Sequence, residues 1–248
     1  MVLGVVAGAF IALGAVLSTV VSTGSSLGDG PTRLLAGAAF SLGLILVVVA
    51  GAELFTGNNL VVMSWVSRNI TLARLLRNWA IVYLGNALGA LSVVVLVYLS
   101  DWWAVADHSM GATALSIAAS KAGPSFGVVF VRGILANALV CLAVWLATAG
   151  RSLTDKVLAI MFPISAFVAA GFEHSIANMY FIPMGLLLAN QPAVVEIAAL
   201  PSDRFSSLDS AGLITNITAA TLGNVVGGAV LVGLVCWFVY LRSREDRR

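Results

Sequence analysis

The sequence predicts an all-α membrane protein of six transmembrane helices, arranged as a 3+3 inverted repeat with two broken helices. Three observations carry this. The 248 residues are 60% hydrophobic and only 10% charged, where a soluble domain carries about 25% charged residues. So much apolar surface needs lipid as its solvent. Six apolar segments are long enough to cross a bilayer, which takes about 20 helical residues. Two polar motifs then recur within those segments at constant spacing.

The segments are Val2–Ser22, Leu34–Val66, Leu72–Leu99, Gly127–Ala149, Leu153–Ala189 and Leu213–Leu241. The first has small residues at its end, Ser18 to Ser22, but no basic n-region, so it reads as a first transmembrane helix rather than a leader. The second and fifth are too long for one ordinary helix, and each has polar residues and glycine near its middle. Basic residues set the orientation. One side holds Arg68, Arg74, Arg77, Arg151, Lys156, Arg242, Arg244, Arg247 and Arg248, against Arg33, Lys121, Arg204 and the nearby Arg132 on the other. Six spans with both termini in the cytoplasm satisfy this bias. Asp155 and Lys156 mark a helix start and a cytoplasmic anchor. The net charge of +2 is too small to suggest a nucleic-acid partner.

Glycine pairs four residues apart, Gly4/Gly8, Gly85/Gly89 and Gly223/Gly227, allow helices to approach closely in lipid. Cys141 and Cys236 both sit in apolar runs and read as small free hydrophobes rather than a disulfide.

The repeat explains the long segments. Gly51, Glu53 and Asn58 match Gly171, Glu173 and Asn178, each pair 120 residues apart. Asn78, Leu84, Gly85, Asn86 and Gly89 match Asn216, Leu222, Gly223, Asn224 and Gly227 at an offset of 138, so the second half carries an 18-residue longer connection. Three spans per copy make the second enter the membrane from the opposite side, as in channels and transporters. One transmembrane domain thus covers 1–248, its halves about 1–100 and 113–241. The long segments become helices broken at the motif, and such backbone is tolerated only where it is buried in protein or lines a cavity.

Charged groups inside a membrane are costly and point to function. Glu53 and Glu173 occupy equivalent places, where a carboxylate can accept from the N–H groups of a broken helix or serve as a proton or cation site. The loop-stabilising role is preferred, because both copies carry the glutamate and only one carries a histidine. That histidine, His174, lies within the second break and could donate to an anion or exchange a proton with it. Lys121 follows Ala112–Ser120, a stretch fit for a short re-entrant helix, and could enrich anions in an outer vestibule. Phe40, Leu44, Leu54, Phe55, Val140 and Phe167 surround the breaks and could form apolar constrictions. No metal-ligand spacing, phosphate loop or nucleophile with its base is present, so no enzyme, metal or cofactor is indicated.

Three stretches, Gly51-Ala52-Glu53-Leu54-Phe55-Thr56-Gly57-Asn58, Gly150-Arg151-Ser152-Leu153-Thr154-Asp155-Lys156 and Gly171-Phe172-Glu173-His174-Ser175-Ile176-Ala177-Asn178-Met179, together with Asn78-Trp79 through Gly85-Asn86, resemble the formate/nitrite transporter family. The resemblance runs from about Val5 to Leu241. It implies an aquaporin-like homopentamer of the inner (plasma) membrane, with one pore per protomer for a small monovalent weak-acid anion. The second break is most similar to the formate branch, and nitrite or hydrosulfide is the alternative. The resemblance further implies an outer constriction of Phe40 and Phe167 and an inner slit of Leu44, Leu54, Phe55 and Val140. Thr56 would hydrogen-bond near the pore, His174 would be the central histidine, Asn137 and Asn224 would line its chamber, and Lys121 would be the vestibule lysine. Rival readings are a neutral-solute channel, a proton-coupled symporter using Glu53 or Glu173, and a scaffold without transport. The first lacks Asn-Pro-Ala at either break, and a scaffold gains nothing from polar breaks.

Overall fold

The computed structural model describes residues 1–242. The basic residues Arg244, Arg247 and Arg248 lie outside the described residues. Helix α1 (Val2–Ser22) is followed by α2 (Asp29–Ala50), which starts five residues earlier than hydropathy suggests. Asp29 in its first turn and Pro31 just behind it suit a helix start, since both tolerate or favour the free N–H groups there. Arg33 therefore projects from a helix rather than a loop. At Gly51 the chain turns with φ 70°, a conformation that glycine adopts without strain, and α2 ends. The chain then runs irregularly and turns at Phe55–Thr56 into a 3-10 turn (Gly57–Val61) and the short α3 (Val62–Val66). Thr71 caps α4 (Leu72–Leu99), accepting from the Arg74 N–H at 3.3 Å.

The second half repeats this plan. Helix α5 (Ser109–Ala122) covers the stretch read as a short re-entrant helix and packs on the later helical segment Ser175–Leu188. Helix α6 (Phe126–Ala149) corresponds to α1. A capping box opens α7 (Leu153–Ala169): Ser152 Oγ accepts from Asp155 N at 3.1 Å, and Asp155 Oδ2 accepts from Ser152 N at 3.0 Å. Gly171, with φ 72°, ends that arm as Gly51 ends the first. Helix α8 (Ser175–Leu188) resumes beyond the break. It bends by 110° into α9 (Pro192–Ala198). With α10 (Ser202–Ser206), α9 occupies the longer connection of the second copy. Asp209 caps α11 (Ser210–Val225), which continues as wider-wound helix through Val226–Leu234 and Trp237–Leu241.

Packing shows the same duplication. Helix α1 lies against α2 and α4, α6 lies against α7 and α11, and α2 meets α7 where the halves join. Among the described residues, five helices are individually long and apolar enough to cross a membrane, and the bent α8–α9 pair passes the same test as a unit. The glycine pairs sit at the crossings. Gly4 and Gly8 face Val82, Gly85 and Asn86, and Gly223 and Gly227 face Phe130, Gly133 and Ile134, backbone against backbone. Cys141 and Cys236 are free and share one apolar cluster.

A methyl group at Gly89 would be driven into the carbonyl of Val5, and one at Gly227 into that of Ile134, whereas Gly127 faces open space. Gly89→Ala and Gly227→Ala are each expected to cost about 1–3 kcal/mol, read as a lower denaturation midpoint in detergent. Gly127→Ala is expected to be neutral or slightly stabilising. An unchanged midpoint for the first two would remove close helix crossing as the reason for these glycines.

Candidate functional site

The two breaks interrupt helices and leave N–H and C=O groups without helical partners. Each is closed by the same asparagine device. At the first, Asn86 Oδ1 accepts from Phe55 N at 2.8 Å, and Asn86 Nδ2 donates to Gly4 O at 2.8 Å and Glu53 O at 2.9 Å. At the second, Asn224 Oδ1 accepts from Ser175 N at 2.9 Å, and Asn224 Nδ2 donates to Gly133 O at 2.8 Å and Glu173 O at 3.0 Å.

The glutamates close the other side of each break. Asn58 Nδ2 donates to Glu53 Oε2, and also to Asn78 Oδ1 at 3.0 Å. Asn178 Nδ2 donates to Glu173 Oε2 at 2.6 Å and to Asn216 Oδ1 at 2.7 Å. These four pairs sit at the offsets of 120 and 138 seen in the sequence. The sequence marked the asparagines as repeated but gave no sign of what they hold.

Lys121 Nζ lies 3.2 Å from Glu173 Oε2, and 5.5 Å above the Phe181 ring. It is therefore an ion-paired lysine rather than a free vestibule charge. Asn224 also departs from expectation. It lies beside His174, but both ends of its amide are committed to backbone, so it offers no free polar atom to a chamber. Asn137 donates to Thr56 O at 3.3 Å and Asn224 O at 2.7 Å, tying the two breaks together.

A funnel of about 290 Å³ opens on the face where α5, α6 and the second break meet. Lys121, Arg33 and Arg132 line its wall, with Phe40, Phe167 and His174 among its deeper residues. Arg33 and Arg132 entered the sequence reading only as topology markers. The spacing in sequence gives no hint that α2 and α6 bring them to one cavity. Phe40 and Phe167 meet edge to face, with ring centroids 5.6 Å apart, and Phe167 stacks on His174 at 5.9 Å.

His174 is the N-cap of α8: its Nδ1 accepts from Ala177 N at 3.1 Å. A backbone N–H can only donate, so Nδ1 holds a lone pair and the ring is neutral, with its proton on Nε2. That N–H points at Thr56 Oγ1, 3.0 Å away. Thr56 then accepts from the imidazole and keeps its own hydroxyl hydrogen available. Both residues are almost wholly buried, Thr56 at 0% and His174 at 2% exposure. Ser175 Oγ, next in the chain, is buried without a partner among the described residues, a hydroxyl that the sequence did not single out.

The remaining predicted apolar residues lie deeper than the funnel wall. Leu44 is one helical turn past Phe40 on α2, about 6 Å further in. Val140 follows Arg132 by eight residues on α6, about 12 Å deeper. Leu54 and Phe55 belong to the first break itself, and Phe55 packs edge-on against Tyr83 at 4.9 Å. All four are buried in the same apolar cluster as Phe40 and Phe167.

An inverted pair of stapled breaks, with a polar pair buried behind apolar rings, defines a membrane transport protein rather than an enzyme. The chain belongs to the formate/nitrite transporter family, whose pattern it matches over residues 1–238. It is 42% identical over 247 residues to the formate channel FocA of Escherichia coli strain K12, covering 98% of this chain and 87% of that one. It is 33% identical to the formate channel BtFdhC of Bacillus thuringiensis, covering 100% of this chain and 89% of that one. A solved pentameric formate channel with formate bound superposes with a TM-score of 0.86 at 37% identity, covering 97% of this chain and 96% of that one. An FNT family ion channel superposes with a TM-score of 0.80 at 30% identity, covering 95% and 87%.

Removing a staple strands several buried groups together, each worth about 1–3 kcal/mol when left unpaired. Asn224→Ala is expected to cost about 3 kcal/mol or more, measured by thermal or denaturant unfolding, and Asn86→Ala a similar amount. Asn224→Asp keeps the acceptor but sets a carboxyl oxygen against the Gly133 and Glu173 carbonyls, so its midpoint should fall at least as far. A wild-type midpoint for Asn224→Ala would mean that something else holds the break.

Proposed function

We propose that the chain is a channel for formate, with one pore running through each protomer of a homopentamer in the plasma membrane. The observation that carries this is the Thr56–His174 pair, buried directly behind the Phe40–Phe167 rings at the floor of a cationic funnel. Its relatives' naming as formate channels and the pentameric state of a structural neighbour support the substrate and the assembly. The excess of basic residues near Arg74, Arg77 and Arg151 supports cytoplasmic termini.

A bare anion is expensive to move past apolar walls. In this reading Phe40 and Phe167 strip water from the solute, and the Thr56 hydroxyl then donates to it at the narrowest depth. His174 fixes the direction of that hydroxyl by donating Nε2–H to its oxygen. Leu44, Leu54, Phe55 and Val140 form the inner slit that holds hydrated ions back. Asn137 keeps the carbonyl of Thr56 occupied, so the threonine presents only its side chain. Glu53 and Glu173 serve as braces of the breaks, which leaves proton coupling through either as the weaker reading. Nitrite and hydrosulfide are the competing substrates.

The test is flux into proteoliposomes for formate, nitrite, hydrosulfide and water at two pH values. Formate is expected to pass quickly and water slowly. Thr56→Val removes one donated hydrogen bond of about 1–1.5 kcal/mol, so formate flux should fall about tenfold. His174→Ala should fall comparably at both pH values, since the ring acts as a fixed donor to the Thr56 hydroxyl. Unchanged flux at both pH values would remove the imidazole from the mechanism, and passage of water alone would overturn the substrate.

A further inference from the structure

The funnel wall holds three cations and one carboxylate, Glu173. Lys121 lies 3.2 Å from that carboxylate and cancels its charge. Among the described residues this is the only ion pair, so neither Arg33 nor Arg132 is neutralised by a carboxylate. Two positive charges are left over, and both are guanidiniums.

Their placement is built by the fold. Arg33 stands on the first turns of α2 and reaches over the second break: a side-chain carbon on Gly171 would come within 3.8 Å of its Nη1. Arg132 stands on α6, and its backbone carbonyl accepts from Glu173 N at 3.3 Å, so its side chain starts at the rim of the same break. It is half-buried, while Arg33 is exposed. Below both lies the apolar pair Phe40 and Phe167, a low-dielectric floor that strengthens the field of charges above it.

We propose that Arg33 and Arg132 form an oxyanion-collecting site at the mouth of the pore, one that favours planar anions with two oxygens over anions with a single acceptor atom, such as hydrosulfide or chloride. This rests on the channel reading above. A guanidinium presents parallel N–H donors that match the two oxygens of formate or nitrite bidentately. Hydrosulfide offers one soft atom to that fork and gains only from the charge. Lys121, held by Glu173, adds little to the attraction. Arg33 and Arg132 thus act before the constriction, on capture and selectivity, while Thr56 and His174 act within it.

The experiment compares wild type with the double variants R33Q/R132Q and R33K/R132K in proteoliposomes, using initial rates for formate and hydrosulfide at low and near-physiological ionic strength. For the glutamine pair, the half-saturating formate concentration should rise about tenfold at low ionic strength and less at higher salt, where the field is screened. Its maximal rate should stay within about twofold of wild type. The lysine pair keeps the charge and loses the fork, so its formate-to-hydrosulfide preference should fall several-fold. Unchanged half-saturation in the glutamine pair overturns the site, and a wild-type preference in the lysine pair overturns the fork. The single variants R33Q and R132Q, each expected to give part of the shift, serve if the double variant does not assemble. Purified protein is also titrated with sodium formate against sodium chloride. If wild type carries no anion, the channel reading fails, and this titration still decides the site: formate binding weakened by R33Q/R132Q upholds it, and equal or absent binding overturns it.

Discussion

Every backbone N–H and C=O placed inside a membrane needs a partner within the protein, because lipid supplies none. Two breaks in the helical ladder would violate this rule, and the structure rests on how they are closed. Asn86 and Asn224 each accept from one stranded N–H and donate to one carbonyl of the break and one of a neighbouring helix. One side chain can do this only because an amide carries an acceptor and two donors on a short stem. The carbonyls come from the neighbouring span as well as from the break, so each staple also fixes a helix crossing. The glycines at those crossings bring the backbones close enough for a short amide to reach.

Closing the breaks with asparagine and glutamate has an electrostatic consequence. Glu53 sits against Asn58, and Glu173 against Asn178 with Lys121 alongside. The inverted repeat thus produces two chemically similar braces, but only the second carries a lysine partner and a following histidine. The asymmetry makes the two breaks chemically different. The lysine balances the buried carboxylate, and the arginines on α2 and α6 are left as the net positive charge of the funnel.

His174 shows how a structural task narrows a chemical one. As the cap of α8 it must present a lone pair at Nδ1, and that fixes the proton on Nε2. The ring then faces Thr56 as a donor, braced by stacking on Phe167. A charged imidazolium would lose the cap and leave the Ala177 N–H without its partner. In the proposed pore the histidine works as a fixed dipole, and the threonine hydroxyl, aimed by it, is the group available to a passing solute.

The sequence by itself determined the spans, the duplicated motif and the buried polar residues. Composition, segment length and repeat spacing are local properties that lipid enforces on any chain of this kind. Glu53, Glu173 and His174 were visible for that reason, since a titratable residue in an apolar run has to be accounted for, whereas Thr56 emerged only through the family resemblance. Only the tertiary structure decided what each one touches. Nothing local says that Asn224 reaches backward to Gly133, that Lys121 is neutralised by Glu173, or that Arg33 and Arg132 face one cavity. Such contacts join residues far apart in the chain, as Thr56 and His174 are at 118 positions. Such distances are closed by helix crossings, whose partners and depth are set by packing between faces rather than by the pattern along any one helix.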